Sequence, residues 1–207
     1  DACTDYDEPL SIYIIRYNPG DGLMQKRIRI MGILNVTPDS LYDGGRYFNM
    51  ERAVERAFRM KDEGADIIDI GGESTRPGSK PVRPSEQIDR ICPVIEAIAD
   101  KIGIPVSVDT TSSEVAQAAC DSGATMINDI SGATFDPQIL DVAARNDSFV
   151  VLMHIRGTPE IMQLNPQYVD LLHEIHDFLL EAVERAARAG VARDRIIVDP
   201  GIGFGKS

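Results

Sequence analysis

The sequence predicts an α/β barrel domain, and two observations carry that reading. From Ile28 onward, short β-rich apolar runs alternate with longer stretches of helical periodicity. A polar residue recurs where each apolar run ends: Asn35, the Gly71-Gly72-Glu73-Ser74-Thr75-Arg76 stretch, Asp109, Asn128-Asp129, His154 and Asp199. A β/α barrel builds its site from the C-terminal ends of many strands, whereas a doubly wound sheet binds at one switch point, usually behind an early glycine fingerprint. Recurrence at every strand end favours the barrel.

In chain order, Leu10 to Arg29 reads as a hairpin, because Tyr13-Ile14-Ile15 precedes a Pro19-Gly20-Asp21-Gly22 turn. About six parallel strands follow: Ile30 to Asn35, Ile67 to Ile70, Pro105 to Asp109, Met126 to Ile130, Phe149 to Met153 and Ile196 to Asp199. Between them, Met50 to Glu63, Ser85 to Lys101, Ser112 to Ser122, Pro137 to Asn146 and Pro166 to Ala189 carry the apolar spacing of helices that cover a sheet. No linker interrupts the pattern, so residues 1–207 read as one domain with 1–29 as an N-terminal extension and hairpin.

With 207 residues, 43% of them hydrophobic and 26% charged, the chain can bury roughly 70% of its unfolded surface, which excludes disorder. No apolar run reaches the ~18 residues of a membrane span. A net charge of −12 is the wrong sign for a phosphate-backbone binder, so neither nucleic acid nor membrane is expected as a partner. Cys3, Cys92 and Cys120 lie too far apart for a zinc site and are too few for a disulfide scaffold; they read as reduced thiols in the cytoplasm. Asp1 to Glu8 is acidic, lacks a basic region before an apolar stretch and so does not read as an intact secretory signal.

Asp109, Asn128 and Asp199 each sit at a strand end, where a lone Asp often serves only to cap the next helix. Three converging on one mouth instead suit a planar heterocycle with an amidine-like donor edge, since ionised acceptors make the stronger hydrogen bonds. The stretch from Gly71 to Gly78 combines pliant backbone, hydroxyls and the cation of Arg76, as expected of a loop that closes on an anion; Asn35 to Ser40 with Asp43-Gly44-Gly45 is a second loop of that type. Gly201 and Gly205 enclose three residues where a nucleotide P-loop needs four, so that motif is rejected, and Phe204 is read as a stacking group for a flat ligand. His173 and His176 lack metalloprotease spacing and read as a solvated helix face, whereas His154 follows a strand and is either packed or in contact with ligand.

Three segments, Met31-Gly32-Ile33-Leu34-Asn35-Val36-Thr37-Pro38-Asp39-Ser40, Asp69-Ile70-Gly71-Gly72-Glu73-Ser74-Thr75-Arg76-Pro77-Gly78 and Asp199-Pro200-Gly201-Ile202-Gly203-Phe204-Gly205-Lys206, resemble the dihydropteroate synthase family. Val108-Asp109-Thr110, Asn128-Asp129 and Met153-His154 follow in the family's order. The resemblance implies a TIM (β/α)8 barrel that joins 6-hydroxymethyl-7,8-dihydropterin pyrophosphate to p-aminobenzoate in folate synthesis, and hence a sulfonamide target. It further implies that Asp109, Asn128 and Asp199 hold the pterin with Met153 against its ring. Asn35 would lie at Mg²⁺ and pyrophosphate, and Ser74, Thr75, Arg76 and Pro77 would form the loop over the aryl amine. Gly203, Phe204 and Lys206 would line the substrate site, with Asn35, Thr75 and Arg76 as the catalytic group. A homodimer is also implied.

The chain departs from the family in two places. Leu41-Tyr42 stands where Phe-Ser is usual, and the sequence ends after the sixth strand's loop, so a natural polypeptide longer by about 60 residues, two more strand–helix units, is expected. The competing readings are a corrinoid-linked methyltetrahydrofolate methyltransferase, which uses a similar pterin-binding barrel, and a non-catalytic pterin-binding fragment.

Overall fold

The structure, a computed structural model, describes residues 28–37, 45–73 and 81–206, with backbone alone for 45–49. The N-terminal hairpin, Leu41-Tyr42 and the Ser74 to Pro77 loop lie outside the described residues. Six strands and five α-helices alternate: β1 (Met31–Asn35), α1 (Gly45–Asp62), β2 (Ile67–Gly71), α2 (Pro84–Ile102), β3 (Val106–Asp109), α3 (Ser113–Asp121), β4 (Met126–Asp129), α4 (Ile139–Arg145), β5 (Phe149–Met153), α5 (Leu171–Arg188) and β6 (Ile196–Asp199). All strand pairs are parallel, and the order β1-β2-β3-β4-β5-β6 places each strand beside its neighbours in sequence. This is the arrangement of a β/α barrel wall.

Period-two alternation divides each strand's side chains between two faces. The outward set includes Ile68, Ile70, Val106, Val108, Ile127, Val150 and Leu152, which form one large core with Ile91, Ile95 and Ile98 of α2, Val115 of α3 and Ala182 of α5. The inward set has its own small apolar cluster of Met31, Ile67, Met126 and Val151. Toward their C-terminal ends the inward sets of β1 to β4 and β6 turn polar, and those residues build the site.

Most element boundaries lie within two residues of the sequence reading, but α1 begins at Gly45, five residues before Met50, and two further boundaries differ for a visible reason. The α5 helix begins at Leu171 and not at Pro166, because Asp170 caps it by accepting from the His173 amide at 3.1 Å and Glu174 accepts from the Val169 amide at 2.8 Å. The β4 strand stops at Asp129, whose carboxylate folds the chain back by accepting from the amides of Ser131 (2.7 Å) and Ala133 (2.9 Å). Among the described residues, no helix is long and apolar enough to cross a membrane.

Candidate active site at the strand ends

Strand register places Asn35, Gly71, Asp109 and Asn128 side by side, since Asn35 pairs with Gly71, Gly71 with Asp109, and Asp109 with Asn128. Neighbours in register share a face, so one row across four strands presents two amides and a carboxylate around a glycine. That glycine keeps the row open: a Cβ on Gly71 would stand 3.2 Å from Asn35 Oδ1 and 3.6 Å from the Asp109 Cβ. On the far wall, Asp199 lies in register with Met153.

Beneath this row lies a residue that sequence reasoning did not select as a site residue. Asp69 is wholly buried and faces inward two positions before Gly71; its Oδ2 accepts from Asn128 Nδ2 at 2.8 Å. Among the described residues neither its Oδ1 nor the hydroxyl of Ser107, its register neighbour, has a hydrogen-bond partner. Burial raises the Asp69 pKa, against the Asn128 bond that lowers it. Asp109 is raised well above the ordinary carboxylate value, first by burial and then by the charges of Asp69, Asp129 and Glu73. Two crowded carboxylates, with one oxygen of Asp69 unpaired among the described residues, mark a place where a donor-bearing ligand relieves an electrostatic cost.

The other wall is built by the segment after β6. Asp199 Oδ1 accepts from the Gly201 amide at 2.7 Å, and burial raises its pKa against that bond and the Lys206 charge. Gly201 has φ 67°, and a Cβ there would fall 2.1 Å from the His154 carbonyl oxygen, so only glycine fits. Lys206 Nζ donates to the carbonyls of His154 (2.9 Å) and Phe204 (2.8 Å), and burial pulls its pKa down to about 8. Phe204 packs on the cluster of Ile130, Met153, Ile155 and Met162, and Met153 is buried beneath it. Gly203 has open space around its Cα and φ 91°.

The His154 ring lies edge-on to Phe178 at 4.9 Å, and its Nδ1 is buried with no partner among the described residues. His173 and His176 are exposed and pair with Asp170 and Asp177. The structure thus brings Asn35, Asp109, Asn128, Met153, Asp199 and Lys206 to one end of the sheet, with Gly203 and Phe204 on the adjoining segment; Ser74, Thr75, Arg76 and Pro77 are outside the described residues. The signal that could have found Asp69 is parity, because it shares the inward face with Gly71 and Asn128.

Among the described residues no group of three His, Cys, Asp or Glu side chains could cage a metal. A single amide such as Asn35 suits Mg²⁺, which keeps most of its waters and is commonly held through substrate phosphates.

Residues 31–207 match the family model for pterin binding enzymes. The dihydropteroate synthase of Synechocystis sp. is 50% identical over 182 residues, which is 88% of this chain and 63% of the relative. That of Bacillus subtilis is 47% identical over 194 residues, 94% of this chain and 66% of the relative. Among solved structures, Yersinia pestis dihydropteroate synthase with a sulfonamide drug superposes with a TM-score of 0.78 at 46% identity, covering 86% of this chain and 64% of that one. The Xanthomonas albilineans enzyme in complex with 7,8-dihydropteroate gives 0.76 at 43% identity, covering 88% and 63%. The chain therefore spans a little under two thirds of the length of these relatives.

Proposed function

The chain belongs to the pterin binding enzyme family, and from that premise we propose that it carries out the dihydropteroate synthase reaction. In that reaction 6-hydroxymethyl-7,8-dihydropterin pyrophosphate and p-aminobenzoate give 7,8-dihydropteroate and pyrophosphate. The observation that carries this reading is the set of inward-facing acceptors, Asp109 and Asn128 in one row and Asp69 beneath it, faced by Asp199. A pterin offers such a row an edge of ring and amino N–H donors, and a charge-assisted hydrogen bond contributes about 1.5–3 kcal/mol. The relatives named above support the substrate pair.

In the proposed reaction the bond between the exocyclic methylene carbon and the pyrophosphate oxygen breaks, and its electron pair leaves with pyrophosphate. The pterin ring delocalises the positive charge left on carbon; the aryl amine nitrogen then forms the C–N bond and loses a proton. Asp109, Asn128 and Asp199 hold the ring, while Asp69 keeps the Asn128 amide turned so that Nδ2 faces inward and Oδ1 is its acceptor end. Met153 and Phe204 offer an apolar bed beside it. Lys206 faces the anion, the family resemblance assigns Thr75 and Arg76 the same task, and one well-placed donor to a developing charge contributes about 3 kcal/mol. Mg²⁺ at Asn35 would neutralise charge on the leaving pyrophosphate. With −12 net charge, the protein needs such local cations to admit an anionic substrate.

The same reading makes the chain a sulfonamide target and a cytoplasmic, homodimeric enzyme; the free thiols of Cys92 and Cys120 support a reducing compartment. The deciding experiment mixes the protein with both substrates and Mg²⁺. Pyrophosphate release that depends on p-aminobenzoate is expected. Methyl transfer to a corrinoid without pyrophosphate release would turn the assignment to the methyltransferase reading, and pterin binding without either reaction would leave a binding fragment.

A further inference from the structure

The segment between β5 and α5 makes a set of bonds to the segment after β6 that the acceptor row does not explain. Tyr168 Oη donates to the Gly205 carbonyl at 2.5 Å, and Gln163 Nε2 donates to the Gly203 carbonyl at 2.6 Å. Tyr168 is itself held: the Arg156 guanidinium stacks on its ring at 4.3 Å from the centroid and binds Glu174 Oε2 at 2.6 Å. Glu174 Oε1 accepts from the Val169 amide at 2.8 Å, which ties this chain of contacts to the start of α5. Gly205, at φ 65°, comes so close that a Cβ would meet the Arg156 carbonyl oxygen at 2.9 Å.

The residue next to Gly205 is Lys206. Its ammonium rests on the carbonyls of His154 and Phe204 and feels the Asp199 charge. A four-carbon stem leaves the position of Nζ open unless its backbone is fixed. We propose that Tyr168 is a positioning residue: by holding the Gly205 carbonyl it sets the place of Lys206 Nζ beside Asp199 and so aims that cation at the anionic group of the substrate. The identity of that group rests on the function proposed above; the placement of Lys206 does not. Asp199 and His154 are the titratable groups that face the lysine.

The test is Tyr168→Phe, which deletes one hydroxyl. In the unliganded protein, the pH dependence of amine acetylation at Lys206 is followed by mass spectrometry; separately, the affinities for the pterin pyrophosphate and for the same pterin without its pyrophosphate are measured. With the fold retained by circular dichroism, the Lys206 midpoint is expected to rise toward that of an ordinary lysine as its seat loosens. Affinity for the pyrophosphate form should fall about three- to tenfold, as for loss of one hydrogen bond, while affinity for the bare pterin holds. Gln163→Ala, which frees Gly203 on the same segment, should move both readings the same way by less, and it decides the matter if Tyr168→Phe does not fold. An unchanged Lys206 midpoint in a folded variant overturns the proposal, as does an equal loss of affinity for both pterins. Failure of the parent protein to bind either pterin would overturn the function proposed above, while the labelling result would still decide the role of Tyr168.

Discussion

Asn128 reaches past β3 to donate to Asp69 across a separation of 59 residues, and the 2.8 Å bond joins β2 to β4 inside the curve of the sheet. The bond decides the sense of the amide: with Nδ2 committed to Asp69, Oδ1 is the end that can receive a ligand's N–H. The buried carboxylate is therefore a support for the residue above it, much as outer groups orient metal ligands.

Asp69→Ala should reveal that support. It leaves Asn128 Nδ2 buried without its acceptor, a cost of about 1–3 kcal/mol, but also removes a buried carboxylate whose pKa burial has raised. The two effects oppose each other in stability and not in binding. Pterin affinity measured by calorimetry should drop about tenfold while the urea midpoint moves little; unchanged affinity would mean that Asn128 needs no orienting partner.

Asp109→Asn and Asp199→Asn should each weaken pterin binding by about 1.5–3 kcal/mol, since a neutral amide replaces an acceptor able to carry charge. Asp199→Asn can keep the bond from the Gly201 amide, so its fold should survive. Calorimetric titration with both variants binding as tightly as the parent would take these residues out of the site.

Asp129 supplies a pH signature. Burial pushes its pKa from 3.8 up to about 6 against the hydrogen bonds from Ser131 and Ala133. A carboxyl raised on folding contributes stability that is complete below its unfolded pKa and is lost as pH rises through the folded value. Over about two units, at about 1.4 kcal/mol each, the loss is at most about 3 kcal/mol between pH 4 and 7. Asp129→Asn does not titrate, so its stability relative to the parent should improve across that window by a sizeable part of this amount. Urea unfolding of both proteins at pH 4, 5, 6 and 7 checks it, and a constant difference would refute it.

Two glycines of the last segment should respond unequally to alanine. Gly201→Ala drives a Cβ to 2.1 Å from the His154 carbonyl, whereas at Gly203 only the backbone angle of 91° resists. Gly203→Ala should cost about 1–2 kcal/mol of backbone strain, and Gly201→Ala more than that together with displacement of Lys206. Thermal melting of the pair gives the order, and equal losses would contradict the packing described.

Most of the wall and of the acceptor row was legible because strands and helices announce themselves by different periods, and because strand-end polar residues stand out against apolar runs. Asn35, Asp109, Asn128 and Asp199 were found that way. Asp69 was not, since it sits within Ile67-Ile68-Asp69-Ile70, where only its parity with Gly71 betrays an inward side chain. The start of α5 was misplaced because Pro166 is a good first-turn residue, while the side chains that cap the helix, Asp170 and Glu174, identify themselves only through the bonds they make. Tyr168 and Gln163 carried no sequence signal, because their partners are backbone carbonyls at Gly205 and Gly203, and a carbonyl looks alike at every position.

The neighbour-only order of the strands also bears on how the site comes into being. Each strand needs only the preceding one to dock on, so the wall can grow in the direction of synthesis, one strand–helix–strand crossover at a time. Asp69, Asp109 and Asn128 are in place once β4 has joined, whereas the Asp199 wall waits for β6. A nascent chain thus acquires one wall of the acceptor site before the other. Under the proposed function, pterin captured at that stage favours the docked β2-β3-β4 unit by mass action, so the substrate acts as a folding aid for the chain that binds it.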